Sequence, residues 1–149
     1  MMVWGRSRRA LAVAESFVSA VNTRDAAALA RLTTDDFTYI DSWREGVSGR
    51  EKVAAAFAAL AAADPDFGIE VDQMDWREPH VLMTGRVNSR QFGMGRRAVW
   101  QMLLVDGKVA EFQAWAEGGP PPLARMLAPD HVTDMQHRAA DRPELEERE

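Results

Sequence analysis

The chain has 149 residues, no cysteine and a net charge of −5. This length fits one domain with a usable core rather than two. The missing cysteines exclude disulfides, thiolate metal sites and cysteine nucleophiles, and we expect a cytoplasmic protein. The charge pattern excludes the basic stripe of a nucleic-acid binder, and no apolar run approaches the roughly 18 residues that a membrane span needs. We therefore expect neither nucleic acid nor membrane among its partners.

The N-terminal part predicts two helices. Apolar residues recur at helical spacing from Ala10 to Val21, which is typical of an amphipathic helix with one buried stripe. A shorter helix follows, with Asp25 as its predicted N-cap.

A short strand comes next and carries the residues of greatest chemical interest. Side chains alternate between faces, so Phe37, Tyr39 and Asp41 share one side. A carboxylate among aromatic rings loses hydration, which raises its pKa and suits a general base that works near neutral pH. The alternative is a solvated Asp41 that merely opens the next loop. Tyr39, the only tyrosine, is either a hydrogen-bond donor beside Asp41 or a core residue.

A third helix is predicted to begin close to Gly49. Ser48 and Glu51 have the spacing of a capping box, and Asp64-Pro65 ends the helix because the residue before proline is disfavoured in the α region. The expected buried face consists of Val53, Ala56, Phe57, Leu60 and Ala61.

Four strands are then predicted, over about 69–76, 81–90, 97–105 and 109–117, with a hairpin turn at Asp106-Gly107. Helices followed by such a meander indicate the α+β class, with the N-terminal helices packed on one face of a curved, mostly antiparallel sheet. After residue 118 the pattern dissolves. We therefore predict a domain over residues 1–118, and a Pro-rich linker with a charged C-terminal tail over residues 119–149. Within the second region, Leu123, Met126 and Leu127 have the spacing of one helical turn, and Val132 and Met135 that of another. The charged stretch from Asp141 onward is expected to add little to the fold.

This order of elements, with the stretches TTDDFTYID, GREKVAAAF and KVAEFQAWAE, resembles the nuclear transport factor 2-like superfamily over about residues 8–117. Within it, the chain is most similar to SnoaL-like and ketosteroid isomerase-like proteins. The resemblance implies a cone-shaped α+β barrel with an apolar pocket, and a homodimer.

The same resemblance implies roles for particular residues. The aspartate that ends the first strand, here Asp41, is the base that moves a proton on carbon beside a carbonyl. The two positions that would donate hydrogen bonds to the enolate fall at Phe17, which has no donor, and near Gln101, which has an amide. Steroid isomerisation by that mechanism is therefore disfavoured.

The candidate catalytic residues are thus Asp41, Tyr39 and Gln101. Gln101 points inward only if the face that it shares with Val99 and Leu103 does, which the sequence leaves open. The ligand-binding walls are expected at Phe17, Trp43, Phe57, Val99, Leu103 and Phe112. No set of His, Asp or Glu has metal-ligand spacing, so we expect no metal and no cofactor.

Three functional hypotheses follow. The first is a cofactor-independent isomerase, cyclase, dehydratase or hydrolase that acts on an apolar, oxygenated small molecule, with Asp41 as general base. The second is a ligand-binding or dimerisation module without turnover, and the third is a protein-interaction domain that uses the outer sheet face. Burial of Asp41 near a pocket and away from arginine favours the first hypothesis, whereas exposure or a salt bridge at the rim favours the second.

Overall fold

The computed structural model describes residues 3–91 and 93–136, with side chains from residue 5 onward. This part of the chain contains four helices and seven strands. The helices are α1 (Val3–Thr23), α2 (Ala26–Leu32), α3 (Arg50–Ala63) and α4 (Leu123–Leu127). The strands are β1 (Thr33–Ile40), β2 (Glu45–Ser48), β3 (Gly68–Arg77), β4 (His80–Ser89), β5 (Gly93–Val105), β6 (Lys108–Ala116) and β7 (Thr133–Asp134).

The strands form one sheet in the order β3-β4-β5-β6-β1-β2-β7. Neighbouring strands are antiparallel except β1 and β6, which are parallel and place Tyr39 opposite Phe112. A parallel pair needs a long connection, which α3 and the β3–β6 meander supply here. The predicted α+β class, with helices packed on a curved, mostly antiparallel sheet, is confirmed, and the sheet does not close.

The aromatic core joins α1 to the sheet. The fully buried ring of Phe17 lies 5.8 Å from the ring of Phe37 on β1 and 4.9 Å from that of Phe112 on β6, between ring centroids. Edge and tilted contacts of this kind add to the free energy gained by burying the rings. Phe17 therefore holds the helix against the sheet.

A β-bulge bends the sheet between β3 and β4. The pairing shifts between Val71 and Gln73, and Gly85 lies opposite Val71. A Cβ atom at Gly85 would lie 1.9 Å from the carbonyl oxygen of Glu70, so only glycine fits this close approach. Bulges increase strand bending and twist, which curves the sheet around the interior.

Two of the predicted helix starts have different outcomes. Asp25 caps α2 as predicted, since its Oδ1 accepts a hydrogen bond of 3.0 Å from the N–H of Ala28. The predicted capping box of α3 is wrong, because Gly49 with φ of 107° is the N-cap and no side chain caps the helix. Ser48 instead ends β2, where its hydroxyl lies 3.0 Å from that of Thr38.

The residues after Gly119 take part in the fold: the helical turn expected around Leu123 and Leu127 is present as α4, whereas the short strand β7 lies where the second turn was expected. Ala124, Ala128 and Met135 are buried, and β7 pairs with β2. The charged residues 137–149 of the predicted tail lie outside the described residues, and the domain boundary at residue 118 stays a prediction. None of the helices within the described ranges is long and apolar enough to cross a membrane.

Candidate functional site

An apolar cavity of about 100 Å³, here called the central cavity, lies among α3, the sheet and the segment that follows Gly119. Most of its walls are aliphatic and aromatic side chains from α1, α3, the loop after α3, and β3 to β6: Val21, Ala56, Phe57, Leu60, Ala61, Phe67, Ile69, Val87, Trp100, Phe112, Ala114 and Ala116. Pro120, Pro121, Leu123, Ala124 and Leu127 complete the lining from the C-terminal side. Polar groups enter at Arg24, Tyr39, Asp41, Ser42, Ser89 and Arg96.

The end of β1 brings two of the predicted site residues together. Tyr39 and Asp41 both line the central cavity, which is the shared face that strand alternation predicts. Ser42 continues the attachment to β6, since its hydroxyl accepts a 2.9 Å hydrogen bond from the N–H of Ala116. These contacts fix the position of the carboxylate within the cavity wall.

Asp41 is fully buried and its carboxylate is held by backbone donors. Its Oδ1 accepts from the N–H groups of Trp43 at 2.9 Å and Glu45 at 3.1 Å, and its Oδ2 accepts from the N–H of Ala124 at 2.9 Å. Within the described part of the chain no arginine or lysine forms a salt bridge with it. The carboxyl group thus has backbone donors but no cationic partner in the described part of the chain, and it lies in a mostly apolar cavity wall.

Burial raises the pKa of Asp41. Loss of hydration raises the pKa, the three backbone hydrogen bonds lower it, and burial is the largest cause, so the pKa lies above its ordinary value. A carboxylate offers about four lone-pair positions, and the two on Oδ1 are occupied. The free lone pair on Oδ2 is therefore where a proton or a ligand donor meets Asp41.

Tyr39 supplies a hydroxyl next to this carboxylate. Burial raises its pKa, and the nearby charge of Asp41 raises it further, so the phenol stays protonated and can donate. Its ring meets that of Phe57 edge to face, at 5.9 Å between centroids. Among the described residues, no hydrogen-bond partner of this hydroxyl is found. The donor is therefore open to a ligand.

Gln101 does not line the central cavity. Burial alternates along β5, where Trp100 is buried and lines the cavity while Gln101 is half-buried and pairs across the sheet with Gln113. Gln101 does share a face with Val99 and Leu103, but that face is the outer one. Both faces of this strand are rich in apolar residues, so the sequence pattern could not show which one points inward.

Of the other residues expected in the ligand-binding walls, two line the central cavity and four do not. Phe57 and Phe112 line the central cavity, and their contact with a ligand stays a prediction. Phe17 lies in the core behind the cavity wall, and Trp43 is 51% exposed, with its Nε1 donating to the carbonyl oxygen of Pro120 at 2.8 Å. Val99 and Leu103 lie on the outer face of β5 and do not line the cavity.

Sequence reasoning missed the C-terminal contribution to the site. The short apolar group around Leu123 and Leu127 was a visible signal, but its partner surface was not. Ala124 carries no distinguishing side chain, because it binds Asp41 through its backbone N–H. Main-chain contacts of this kind leave no mark in the sequence.

The profile of the SnoaL-like domain family matches residues 14–112, so the chain belongs to that family. This confirms the resemblance drawn from the sequence. No curated protein matches the chain.

Solved structures share the fold. A protein from Jannaschia sp. CCS1, provisionally assigned as a SnoaL-like polyketide cyclase, is 19% identical with a TM-score of 0.66, over 82% of this chain and 92% of that one. A provisionally assigned ketosteroid isomerase from Kribbella flavida DSM 17836 is 18% identical with a TM-score of 0.66, over 93% of each chain. An LEH-like epoxide hydrolase from M. tuberculosis is 14% identical with a TM-score of 0.65, over 75% of this chain and 85% of that one. At these identities the likeness shows the fold alone, and one fold hosts many reactions.

Proposed function

We propose that the central cavity binds a small, apolar, oxygenated molecule and that Asp41 moves a proton on it without a cofactor. The reaction class is isomerisation, cyclisation, dehydration or hydrolysis. The observation that carries this proposal is a fully buried aspartate, with no arginine or lysine salt bridge in the described part of the chain, in an apolar cavity wall beside a free tyrosine hydroxyl. The varied chemistry of the structural neighbours is consistent with it, since they include a provisional cyclase and isomerase and an epoxide hydrolase.

The proposed chemistry uses two groups. Ionised Asp41 accepts a proton on Oδ2. When the proton comes from a ligand C–H group, the electron pair of that bond shifts toward the ligand oxygen. When it comes from a water molecule, the water oxygen bonds to a ligand carbon, and the electron pair of the carbon–oxygen bond that breaks moves to the ligand oxygen. Tyr39 donates its O–H to the negative charge that develops there. Phe17 supplies no second donor, and one such donor is worth about 3 kcal/mol of transition-state stabilisation. The proposed reaction therefore depends on Tyr39.

The volume of the cavity limits the ligand. At about 100 Å³ it is smaller than the roughly 150 Å³ engineered cavity that holds benzene. Pockets for drug-sized ligands occupy about 300–1,000 Å³. A steroid does not fit this conformation, so the ligand is either very small or enters a cavity that has opened further.

The backbone hydrogen bonds on Asp41 favour a second candidate function, a binding module without turnover. Three N–H groups occupy the carboxylate, and each favours the ionised form and lowers its basicity. In this case Asp41 shapes the cavity and the ligand is held by apolar contacts and Tyr39. A homodimer stays a prediction, which sedimentation equilibrium tests.

A matched pair of variants on α3 tests the cavity. Ala56 is buried and lines it, whereas Ala55 is exposed on the same helix. Small cyclic ketones, epoxides and phenols are screened by ligand-observed NMR, and a hit is expected to lose binding in Ala56→Leu and to keep it in Ala55→Leu. Equal binding by both variants contradicts the assignment of the cavity.

Turnover of each hit is then followed in wild type and in Asp41→Asn. Loss of turnover with binding retained supports the base assignment. Unchanged turnover in Asp41→Asn contradicts the assignment of Asp41 as the base. Binding without turnover in the wild-type protein supports the second candidate function, a binding module.

A further inference from the structure

We propose that residues 118–128, here called the lid segment, form a hinged lid over the central cavity and that Asp41 is its latch. The inference deepens the proposed function and rests on it for the ligand, because it states how a molecule reaches that same cavity. Its test needs no ligand.

The lid segment closes one side of the cavity. Five of its residues belong to the lining: Pro120, Pro121, Leu123, Ala124 and Leu127. With the segment in place Asp41 has no exposed surface, and the cavity volume is about 100 Å³. A ligand therefore meets Asp41 only after the lid segment moves.

The start of the lid segment has the composition of a hinge. Gly118 and Gly119 have φ of 80° and 70°, a left-handed conformation that glycine adopts without steric cost. Three prolines follow, at residues 120–122, and they lack the N–H groups that would pair the segment with a strand. Dihedral changes at a few residues can thus move the segment while the sheet stays intact.

The far end of the lid segment is tethered. After Ala128 the chain returns to the sheet, where β7 pairs with β2 and the N–H of Met135 donates to the carbonyl oxygen of Arg44 at 2.8 Å. The segment is therefore a loop held at both ends.

The apolar side chains of the lid segment pack against the core, whereas most of its polar contacts with the body are at the surface. Trp43 Nε1 donates to the carbonyl oxygen of Pro120 at 2.8 Å, and Arg125 lies 2.6 Å from a carboxylate oxygen of Glu45. Both contacts are exposed, and exposed pairs are individually weak because water competes for them.

The bond between Asp41 and Ala124 differs from these contacts because it is buried. The N–H of Ala124 donates to Oδ2 at 2.9 Å, and hydrogen bonds to an ionised acceptor are the stronger kind. Breaking it does two things at once: it opens the cavity wall and frees a second lone pair on Oδ2. Opening of the lid therefore exposes the proposed base, because both require the hydrogen bond between Asp41 and Ala124 to break.

A single introduced thiol tests the lid. The chain has no cysteine, so Ala56→Cys places one reactive group in the cavity wall and Ala55→Cys places one on the exposed side of the same helix. Alkylation by iodoacetamide is measured for both. Adding Trp43→Phe together with Arg125→Ala is expected to raise the alkylation rate of Ala56→Cys at least tenfold and to leave that of Ala55→Cys unchanged.

Arg6→Ala is the control variant, since it breaks an exposed ion pair with Glu78 that does not involve the lid segment. It is expected to leave both alkylation rates unchanged. The lid proposal is contradicted if the two lid substitutions leave the alkylation rate of Ala56→Cys unchanged, or if Arg6→Ala raises that rate equally. It is also contradicted if the alkylation rate changes only in proportion to global unfolding, measured in urea.

Hydrogen exchange of the wild-type chain covers the case in which Ala56→Cys fails to fold. The amide of Ala124 is expected to exchange at least tenfold faster than that of Met83 in the core strand β4, because the lid opens locally. Equal protection of the two amides contradicts the lid. Either result leaves the cavity and base tests of the proposed function standing.

Discussion

The Oδ2 atom of Asp41 and the backbone N–H of Ala124 are 2.9 Å apart, and this buried hydrogen bond joins residues 83 positions apart in the chain. It connects the end of the first strand to the helix of the lid segment. The same carboxyl group lines the central cavity beside Tyr39, so the residue that we propose as the base also joins the lid segment to the first strand. Different measurements can separate these two contributions.

The pH dependence of stability reports on Asp41. Its pKa is raised in the folded protein above the ordinary value of 3.8, so the folded state holds this proton more tightly than the unfolded state does. The contribution of Asp41 to stability is then fully present below about pH 3.8 and is lost as the pH rises through the raised pKa. We expect the free energy of unfolding of wild type, minus that of Asp41→Asn, to fall as the pH rises across this window.

Urea unfolding at a series of pH values measures this difference. Asp36→Asn, which removes an exposed carboxylate from the same strand, is the matched control. A difference that grows with pH across the window means that the three backbone hydrogen bonds outweigh burial.

Removal of the Tyr39 hydroxyl separates binding from stability. Because that hydroxyl has no hydrogen-bond partner in the described part of the chain, Tyr39→Phe is expected to change the free energy of unfolding by less than about 1 kcal/mol. Affinity for cyclohexanone is expected to fall about fivefold, the worth of one neutral hydrogen bond. Affinity for methylenecyclohexane, which has the same shape without the oxygen, stays the same. Equal losses for the two ligands contradict a donor role.

The bulge at Gly85 makes a prediction about the sheet. Gly85→Ala places a Cβ atom 1.9 Å from a backbone oxygen, so we expect a loss of about 3 kcal/mol in urea unfolding. Gly95→Ala is the control, because a Cβ atom there meets nothing within 4 Å and only its φ of 69° is unfavourable. That variant is expected to lose about 1–2 kcal/mol. Similar losses in both variants contradict the close approach at the bulge.

A second buried carboxylate stabilises the end of α3. Asp64 is buried, and its side chain accepts hydrogen bonds from the hydroxyl of Ser89 and from the N–H of Arg90, the latter at 3.2 Å. Ser89→Ala removes one donor from a buried charge, so a loss of about 2 kcal/mol is expected in urea unfolding. Thr34→Ala, which removes an exposed hydroxyl 2.8 Å from Asp36, is expected to change stability by less than about 0.5 kcal/mol.

Local patterns in the sequence predicted much of this fold. Helical periodicity found α1, the Asp106-Gly107 turn found the β5–β6 hairpin, and strand alternation placed Tyr39 and Asp41 on one face. Each of these features depends on residues close together in the chain. The parallel pairing of β1 with β6 does not, and the short strand β2 lies in what the sequence presents as a loop.

The candidate site was predicted less completely for the same reason. Alternation shows which residues share a face but not which face is inward, so the sequence left the orientation of the candidate Gln101 open, and in the structure it does not line the cavity. The lid segment was missed because its contact with Asp41 is made by the main chain of Ala124. Such a contact depends on tertiary position and not on residue type.

The central claim is that Asp41 is a desolvated acid, without a salt-bridge partner in the described part of the chain, in the wall of an apolar cavity. Its most direct test is a ¹³C NMR titration of the aspartate carboxyl groups, with the Asp41 signal assigned by its absence in Asp41→Asn. We predict a pKa for Asp41 clearly above 3.8 in the folded protein. A pKa at or below 3.8 would contradict the claim, because Asp41 would then be a carboxylate stabilised by its backbone donors and unsuited to act as the base.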